Sequence, residues 1–588
     1  MAIQVIVRSG VDDAFLAWTS DFIPDCRGFS LRRRIKRAAN SETSPNTVHA
    51  LDDGVAEEIV ASWVGFANGP DFEDGTRKPT TEWPIQKYLW ADYMVSAGDT
   101  VSYRVTPVTG SATNLVERVD LASDWTPDIV VSPDAGDGYS CFFNRGIVAS
   151  QWLGRLLPAD PDPKKNITVK NRKLREIVNT PGDRTRNFLG GPLRSRLVEL
   201  LQNAEMEKRH IYAVLYELDD PELQSMLKKL GKRAHVVLGN GSVDKKGADQ
   251  NEEARADITA VCDVYHRFSS PRALAHNKFL VICDASGKPE KVWTGSTNWT
   301  KTGLCTQSNN ALLIESPEIA QQYVRQWNAL REAGNETPSA LKAKNEKSRE
   351  APDAPGLKLW FTPMNEQSDL EYAQSRIVAA KQGVLFLMFN PGPIGTLLNV
   401  INELASPTSA SYKKDLYIQG VLNQNPGTSA HPVTLFHRGT RQQANADVVL
   451  PAAIDERLKF WMPELIKLSG TFAMIHSKTI VVDPFGDKPV VMTGSHNLGP
   501  KASGTNDENF VIVEGNARLA AAYAVYIMEC YNQYRWRFNR LNAAVPAGKA
   551  WNGLQDNDTW QIGGAGGSTK PDYDKRRLRE LDFWFGRG

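Results

Sequence analysis

The 588-residue sequence has only six cysteines, Cys26, Cys141, Cys262, Cys283, Cys305 and Cys530, and no C-x-x-C pair. That spacing excludes zinc knuckles and thioredoxin-like redox motifs, and a low, scattered count suits a reducing compartment. No apolar run is long enough to span a membrane, and the opening "MAIQVIVRSGVDD" has no apolar core of signal-peptide length. The expectation is a cytoplasmic protein, or one exported by a route that uses no N-terminal signal peptide. Net charge is missing too: 69 Lys and Arg against 68 Asp and Glu leave +1. A globally basic nucleic-acid binder is thereby disfavoured, and any anion site must be a local concentration of charge.

What is present reads as a multidomain globular chain, 41% hydrophobic and 23% charged, too long for one core. Residues 1–155 alternate as β-strands do: "AIQVIVRS", a strand pair in "FLAWTSDF" and "GFSLRRRI", and "DTVSYRVTPV" with Val101, Tyr103 and Val105 on one face. Trp18 and the stretch Gly98-x-x-x-x-Tyr103-x-Val105 resemble a fibronectin-III or immunoglobulin-like sandwich, although Val101 stands where that family has its corner tyrosine. Another small β-rich domain is the alternative.

From about residue 156 strands and helices alternate. "PLRSRLVELLQNAEMEK" places Leu193, Leu197, Leu200, Leu201 and Ala204 on one helical stripe, "HIYAVLYEL" and "AHVVLGN" read as buried strands, and "ELQSMLKKLGK" is a helix ending at Gly231. The series recurs in "DLEYAQSRIVAAKQ", "GVLFLMFNPG" and "DLYIQGVLNQN", about 200 residues later. The expected organisation is a β-rich domain (1–155), an α/β half (156–335), a linker (336–356), a second α/β half (357–545) and a tail (546–588).

The repeat carries chemistry. "AHNKFLVICD" holds His276, Lys278 and Asp284, followed by "GSTN" with Ser296 and Asn298; "IHSKTIVVD" holds His476, Lys478 and Asp483, followed by "GSHN" with Ser495 and Asn497. Each Gly lies eleven residues past its Asp, and eleven residues past each GSxN Asn stand Asn309 and Glu508. A lone H-x-K means little; the same string at matching offsets twice is a signature. On a strand His and Lys point the same way and the Asp of the second copy points the other way, which suits a structural role. Two copies facing each other would surround one phosphodiester, with Lys278, Lys478, Asn298, Asn497, Ser296 and Ser495 on its oxygens. One imidazole attacks phosphorus and the other protonates the leaving oxygen; the two ammonium groups supply the charge a metal would bring, so no metal or other cofactor is expected.

These strings resemble the phospholipase D superfamily, H-x-K-x-x-x-x-D followed by G-S-x-N, over roughly residues 160–540. The resemblance implies two homologous α/β domains related by a pseudo-twofold, a covalent phosphohistidine and ping-pong kinetics. It assigns the nucleophile to the first motif, His276, with His476 as general acid; the reverse assignment stays open. If the acidic contacts cross between halves, Glu508 serves His276 and Asn309 serves His476. The second copy matches fully. The first has one extra residue before Asp284, for which a β-bulge within Phe279–Cys283 is the expected remedy, and Asn309 replaces the usual Glu.

The other notable residues have plainer readings. His49, His210, His235 and His266 read as structural, and His496 as pointing away from Asn497's face. Trp299 reads as core, with pocket lining as the alternative. His431 and His437 sit in a long insert, above the substrate at most. "GGAGGSTK", 563–570, is a flexible linker rather than a phosphate loop. The basic run "DPKKNITVKNRKLREIVNTPGDRTRN" is a solvated face or a basic approach to the site. The tail "DKRRLRELDFWFGRG" docks on the body, or touches a membrane surface or nucleic acid. The favoured substrate is a phospholipid, with headgroup hydrolysis or transfer to an alcohol. A metal-independent nuclease is the alternative, and an inactive scaffold on the same frame is a third reading. The partner of the β-rich domain is unknown.

Overall fold

Strands such as GVLFLM (Gly383–Met388) are apolar and buried at every position, the pattern of a sheet covered on both faces. A computed structural model describes residues 2–39, 47–50, 54–73, 75–146, 163–242, 249–269, 273–392, 394–423, 446–449, 475–542, 549–562 and 579–587. The chain divides into two units: residues 1–133 with 521–529 and 535–588, and residues 134–520 with 530–534.

The second unit contains two mixed sheets of one strand order. In the first, Tyr139–Phe143, Asn310–Ile314, Pro289–Gly295, Lys278–Cys283, Ile211–Leu215, Ala234–Gly239 and Asp263–Arg267 are successive neighbours, with Asp134–Gly136 added at one edge. In the other the order is Leu357–Phe361, Asn509–Glu514, Val490–Gly494, Lys478–Val482, Gly383–Met388, Tyr417–Leu422 and Ala446–Val449. In both, the central strand runs parallel to its successor and antiparallel to the strand that starts at the motif lysine.

The halves meet through reciprocal hydrogen bonds. Thr294 donates to Asn509 at 2.7 Å, and Asn310 donates to Thr493 at 2.7 Å. Equivalent residues pair in both, with the donor and acceptor roles of Thr and Asn exchanged, as a pseudo-twofold permits. Both pairs are fully or nearly fully buried, so each partner left alone would be a desolvated polar group.

The boundary expected at 155 is corrected. Residues 139–143 form the strand corresponding to Leu357–Phe361, and Phe142 stacks on Trp293 at 5.3 Å, so the α/β unit begins near 134. Residues 144–162 separate this first strand from the first helix of the half, Pro163–Asn179. Within the expected linker 336–356 lies a helix, Ser339–Asn345, with Leu341 and Asn345 buried. The leucine stripe from Leu193 to Ala204 is buried in the helix Arg184–Met206, which kinks at Gly191 just before Pro192.

In the other unit, Gln4–Ser9, Ala14–Thr19 and Leu89–Asp92 form one antiparallel sheet. Cys26–Lys36 lies in a second sheet between Thr100–Ser111 and Val55–Ile59. The expected pairing of "FLAWTSDF" with "GFSLRRRI" is therefore corrected: these segments lie in different sheets and meet face to face, Trp18 edge-on to Phe29 at 5.6 Å. Tyr103 donates to Asp92 at 2.9 Å, and Asp92 also accepts from the buried Arg33, which pairs with Glu58. The tail returns to this unit. Trp551–Leu554 pairs with Val64–Phe66, the Trp560 indole donates to the Cys26 carbonyl at 2.9 Å, and Trp584 packs on Phe15 at 4.1 Å. Among the described residues no helix is long and apolar enough to cross a membrane.

Candidate active site

Each motif strand begins at its lysine, so His276 and His476 stand just before Lys278–Cys283 and Lys478–Val482, at corresponding ends of the two sheets. Alternation puts each lysine on the histidine's side, and each ammonium folds back to donate to the histidine carbonyl at 2.6 Å. His276, Lys278, His476 and Lys478 are all 4% exposed or less.

The imidazole contacts cross between halves. Glu508 lies 2.7 Å from Nδ1 of His276, and Asn309 Oδ1 lies 3.0 Å from Nδ1 of His476. The Asn309 amide donates its Nδ2 to the Gly303 carbonyl, while its Oδ1 accepts the Ser296 hydroxyl at 2.7 Å. Oδ1 must then face His476 as an acceptor, so Nδ1 of His476 carries the proton. A carboxylate likewise only accepts, so Nδ1 of His276 is protonated as well. Both Nε2 atoms are left with lone pairs. Tautomer and orientation are thus set by residues of the opposite half.

Burial dominates the titration of the site. It pushes His276 down to about 4, with Glu508 pulling back and Lys278 adding to the fall. His476 lies well below its usual value, lowered by burial and by Lys478, Lys278 and His276, with no carboxylate in contact. Burial brings Lys278 down to about 7 against the pull of Glu508 and Glu217, and takes Lys478 well down, with Lys278 adding. For Glu508 burial works upward, but His276 and Lys278 outweigh it and the net direction is down. Each imidazole responds to both ammonium groups, so the four side chains form one electrostatic unit.

Other expected site residues are placed differently. Ser296 and Ser495, expected on phosphate oxygens, are fully buried and face the following strand, accepting the backbone N–H of Asn310 and Asn509 at 3.0 and 3.1 Å. They position that strand, and Ser296 also holds Asn309. Asn298 donates to Glu217, while Asn497 is partly exposed. His496 is buried away from the other histidines, accepting the Leu498 N–H at 3.0 Å and lying 3.2 Å from Asp369. Trp299 is 1% exposed and belongs to the core of the first half. His431, His437 and 563–570 lie outside the described residues.

The bulge expected within Phe279–Cys283 is also corrected. Pairing with the central strand runs unbroken from Lys278 to Ile282, and the Cys283 N–H donates to the His210 carbonyl, as the Asp483 N–H does to Gly383. Cys283, not Asp284, therefore occupies the place of Asp483. The extra residue is taken up on the return strand, where pairing passes from Ile282–Lys291 to Cys283–Pro289. Asp483 accepts the N–H groups of Lys381, Gln382 and Gly383 at 2.8, 2.7 and 2.9 Å; Asp284 instead binds Ser286 and Lys288 within its own turn. Asp483→Ala should cost about 1–3 kcal/mol by stranding those N–H groups. Asp284→Ala should shift the unfolding midpoint less, and equal shifts would contradict this division.

Sequence reasoning missed three residues. Tyr216 and Phe389 each follow the central strand by one position, and their rings carry the lysines: Lys278 Nζ lies 4.7 Å from the Tyr216 centroid and Lys478 Nζ 4.8 Å from that of Phe389. The same rings pack on His276 at 4.7 Å and His476 at 5.0 Å. The third is Glu217, a carboxylate 9% exposed beside Lys278. An aromatic ending the corresponding strand of each repeat, "VLYE" and "LMFN", is the signal that would have found the first two. Among the described residues no group of three His, Cys, Asp or Glu is placed to hold a metal ion.

The family model described as "Cardiolipin synthase, PLD-like domain" matches residues 197–331 and 418–531, one segment in each half. Each half thus carries a segment matching the phospholipase D-like domain. The chain is similar to a phospholipase D of Rickettsia typhi, 26% identical over 131 residues, covering 22% of this chain and 59% of that protein. It is also similar to a mitochondrial cardiolipin hydrolase of Danio rerio, 26% identical over 151 residues, covering 26% of this chain and 62% of that protein. The chain thus spans about three fifths of the length of these relatives. Among solved structures, the phosphatidylserine synthase of Haemophilus influenzae Rd KW20 superposes with a TM-score of 0.37 and 11% identity, covering 67% of this chain and 91% of that one.

Proposed function

We propose that the protein is a phosphodiesterase that works through a phosphohistidine, with a phospholipid as substrate and water or an alcohol as acceptor. One observation carries the reading: two imidazoles are each held at Nδ1 by a side chain of the opposite half, and each is under the charge of the same two buried lysines. A diester anion supplies a further counter-charge to the two lysines, beside Glu508 and Glu217. His276, its Nδ1–H held by the Glu508 carboxylate, presents the Nε2 lone pair to phosphorus. The P–N bond forms as the P–O bond to the leaving group breaks. His476, protonated once the anion is bound, gives its Nε2 proton to the departing oxygen. The neutral His476 then takes a proton from water or an alcohol, whose oxygen displaces His276 from phosphorus.

The near-neutral chain and the similarity to a phospholipase D favour a lipid over a nucleic acid. Part of the basic run expected to guide a polyanion is structural: Arg186 is wholly buried, paired with Asp220 and Glu222. The test incubates the full chain in EDTA with phosphatidylcholine–cardiolipin vesicles plus a primary alcohol, and separately with single- and double-stranded DNA and RNA. Release of headgroup and formation of a new phosphatidyl ester support the reading. Cleavage of nucleic acid alone would replace it with a nuclease.

A dependence on pH follows. An anion between Lys278 and Lys478 raises both ammonium pKa values, so binding takes up protons and the affinity falls as pH rises through the unliganded value of Lys278, about 7. Tungstate binding measured from pH 6 to 9 should weaken with each step upward, by at most about tenfold per pH unit for each proton taken up. Constant or rising affinity would contradict the charge assignment.

A further inference from the structure

In the first half a chain of hydrogen bonds runs into the site, and among the described residues it has no counterpart in the second. The Tyr216 hydroxyl lies 3.1 Å from that of Ser242, Ser242 donates to Glu217 at 2.9 Å, and the other Glu217 oxygen accepts the Asn298 amide. Leu215 faces Lys278 across the sheet as Met388 faces Lys478, so Tyr216 and Glu217 correspond to Phe389 and Asn390. Phe389 has no hydroxyl and Asn390 is an exposed amide without a carboxylate. The two halves therefore present their motif asparagines differently.

Asn298 is 4% exposed and its Oδ1 has no hydrogen-bond partner, so the contact with Glu217 sets which way its amide faces. Burial raises the Glu217 pKa against the pull of Ser242, Lys278 and Asn298; in its ionised form the carboxylate accepts and never donates, so a flipped amide would set oxygen against oxygen. The Glu217 charge also acts on both Lys278 and Lys478.

We propose that Glu217 is a positioning residue that locks Asn298 with its N–H edge available to a non-bridging oxygen of the substrate, making the first half the fixed side of the anion site. The proposal rests on the phosphodiesterase reading above. Glu217→Gln keeps the shape but offers Asn298 a donor as well as an acceptor, so the amide loses its fixed direction. Glu217 acts through Asn298, so its effect should disappear once Asn298 is gone.

The test is a cycle of Glu217→Gln, Asn298→Ala and the double variant in the full chain, read by tungstate binding at fixed pH and by KM and kcat. Glu217→Gln should weaken tungstate about tenfold, a difference of about 1.4 kcal/mol, and should raise KM with kcat changed less than about threefold. In the Asn298→Ala background it should weaken binding no further when read at pH 6, below the Lys278 value of about 7, where loss of the Glu217 charge leaves that ammonium largely protonated. Ser242→Ala, which frees Glu217 from its other side, should shift affinity the same way by a smaller factor and guards against loss of fold in Glu217→Gln. A tenfold effect retained without Asn298, or unaltered binding in Glu217→Gln, would overturn the proposal. Wild-type protein that binds no tungstate would remove the phosphodiesterase reading and this inference together, whereas equal binding by wild type and Glu217→Gln removes this inference alone.

Discussion

His276→Ala is expected to lower kcat by roughly 10⁴- to 10⁶-fold, because it removes the atom that becomes bonded to phosphorus. The loss should not depend on the leaving group. His476→Ala should behave differently. With an alkoxide leaving group it should cost roughly 10²- to 10⁴-fold, the usual worth of a positioned proton donor. With a p-nitrophenyl phosphodiester the leaving group needs no proton, so bond cleavage continues and hydrolysis of the intermediate, which still needs His476 as base, becomes slow. One equivalent of p-nitrophenolate should then appear in a burst. The two histidines differ because of what holds them: a carboxylate at His276, a neutral amide at His476. A burst from His276→Ala and none from His476→Ala would reverse the assignment.

Glu508→Gln has the second largest expected effect, a loss of roughly 10²- to 10⁴-fold in kcat. Glu508 accepts from His276, is itself held by the Asn506 amide at 3.2 Å, and has no exposed surface. Its charge is the main upward influence on His276, opposing burial. Glutamine removes that charge and permits the other tautomer, which would turn the N–H rather than the lone pair toward phosphorus; loss of a tautomer-fixing carboxylate costs about 10⁴-fold in a serine protease. His276 should become still harder to protonate, so the acidic limb of the rate profile should move to lower pH while the maximum falls. An unchanged maximum would show that Glu508 is structural only. Asn309→Glu is the complementary change: a carboxylate against His476 should raise its pKa and move the alkaline limb upward.

The site was largely legible because its chemistry is written as short strings on strands, where alternation fixes which side chains share a face. Two such strings at matching offsets identified both halves, and the family resemblance they carry raised the crossed contacts of Glu508 and Asn309 as an arrangement to look for. Sequence offsets failed where backbone pairing decides. Asp284 preserves the spacing to Gly295, yet the strand stays in register through Ile282 and sets Cys283 in the place of Asp483. Ser296 and Ser495 share a face with the asparagines in a flat strand, but each follows a glycine at positive φ, 147° for Gly295 and 133° for Gly494. There the chain turns the hydroxyls onto the next strand. A Cβ at either glycine would come within 2.4 Å of a backbone oxygen of that strand. Tyr216, Phe389 and Glu217 were missed because aromatic and acidic residues at strand ends are common, and only the three-dimensional register aligns them with the lysines. The strand Tyr139–Phe143 and the returning tail pair over long sequence separations that local periodicity does not report.

The central claim is most directly tested by trapping the covalent intermediate. His476→Ala protein is mixed with a p-nitrophenyl phosphodiester, quenched in alkali, digested and mapped by mass spectrometry. The phosphodiester-derived adduct is predicted on the peptide containing His276, in an amount equal to the burst. An adduct on any other residue, or turnover with no adduct on the protein, would contradict the account.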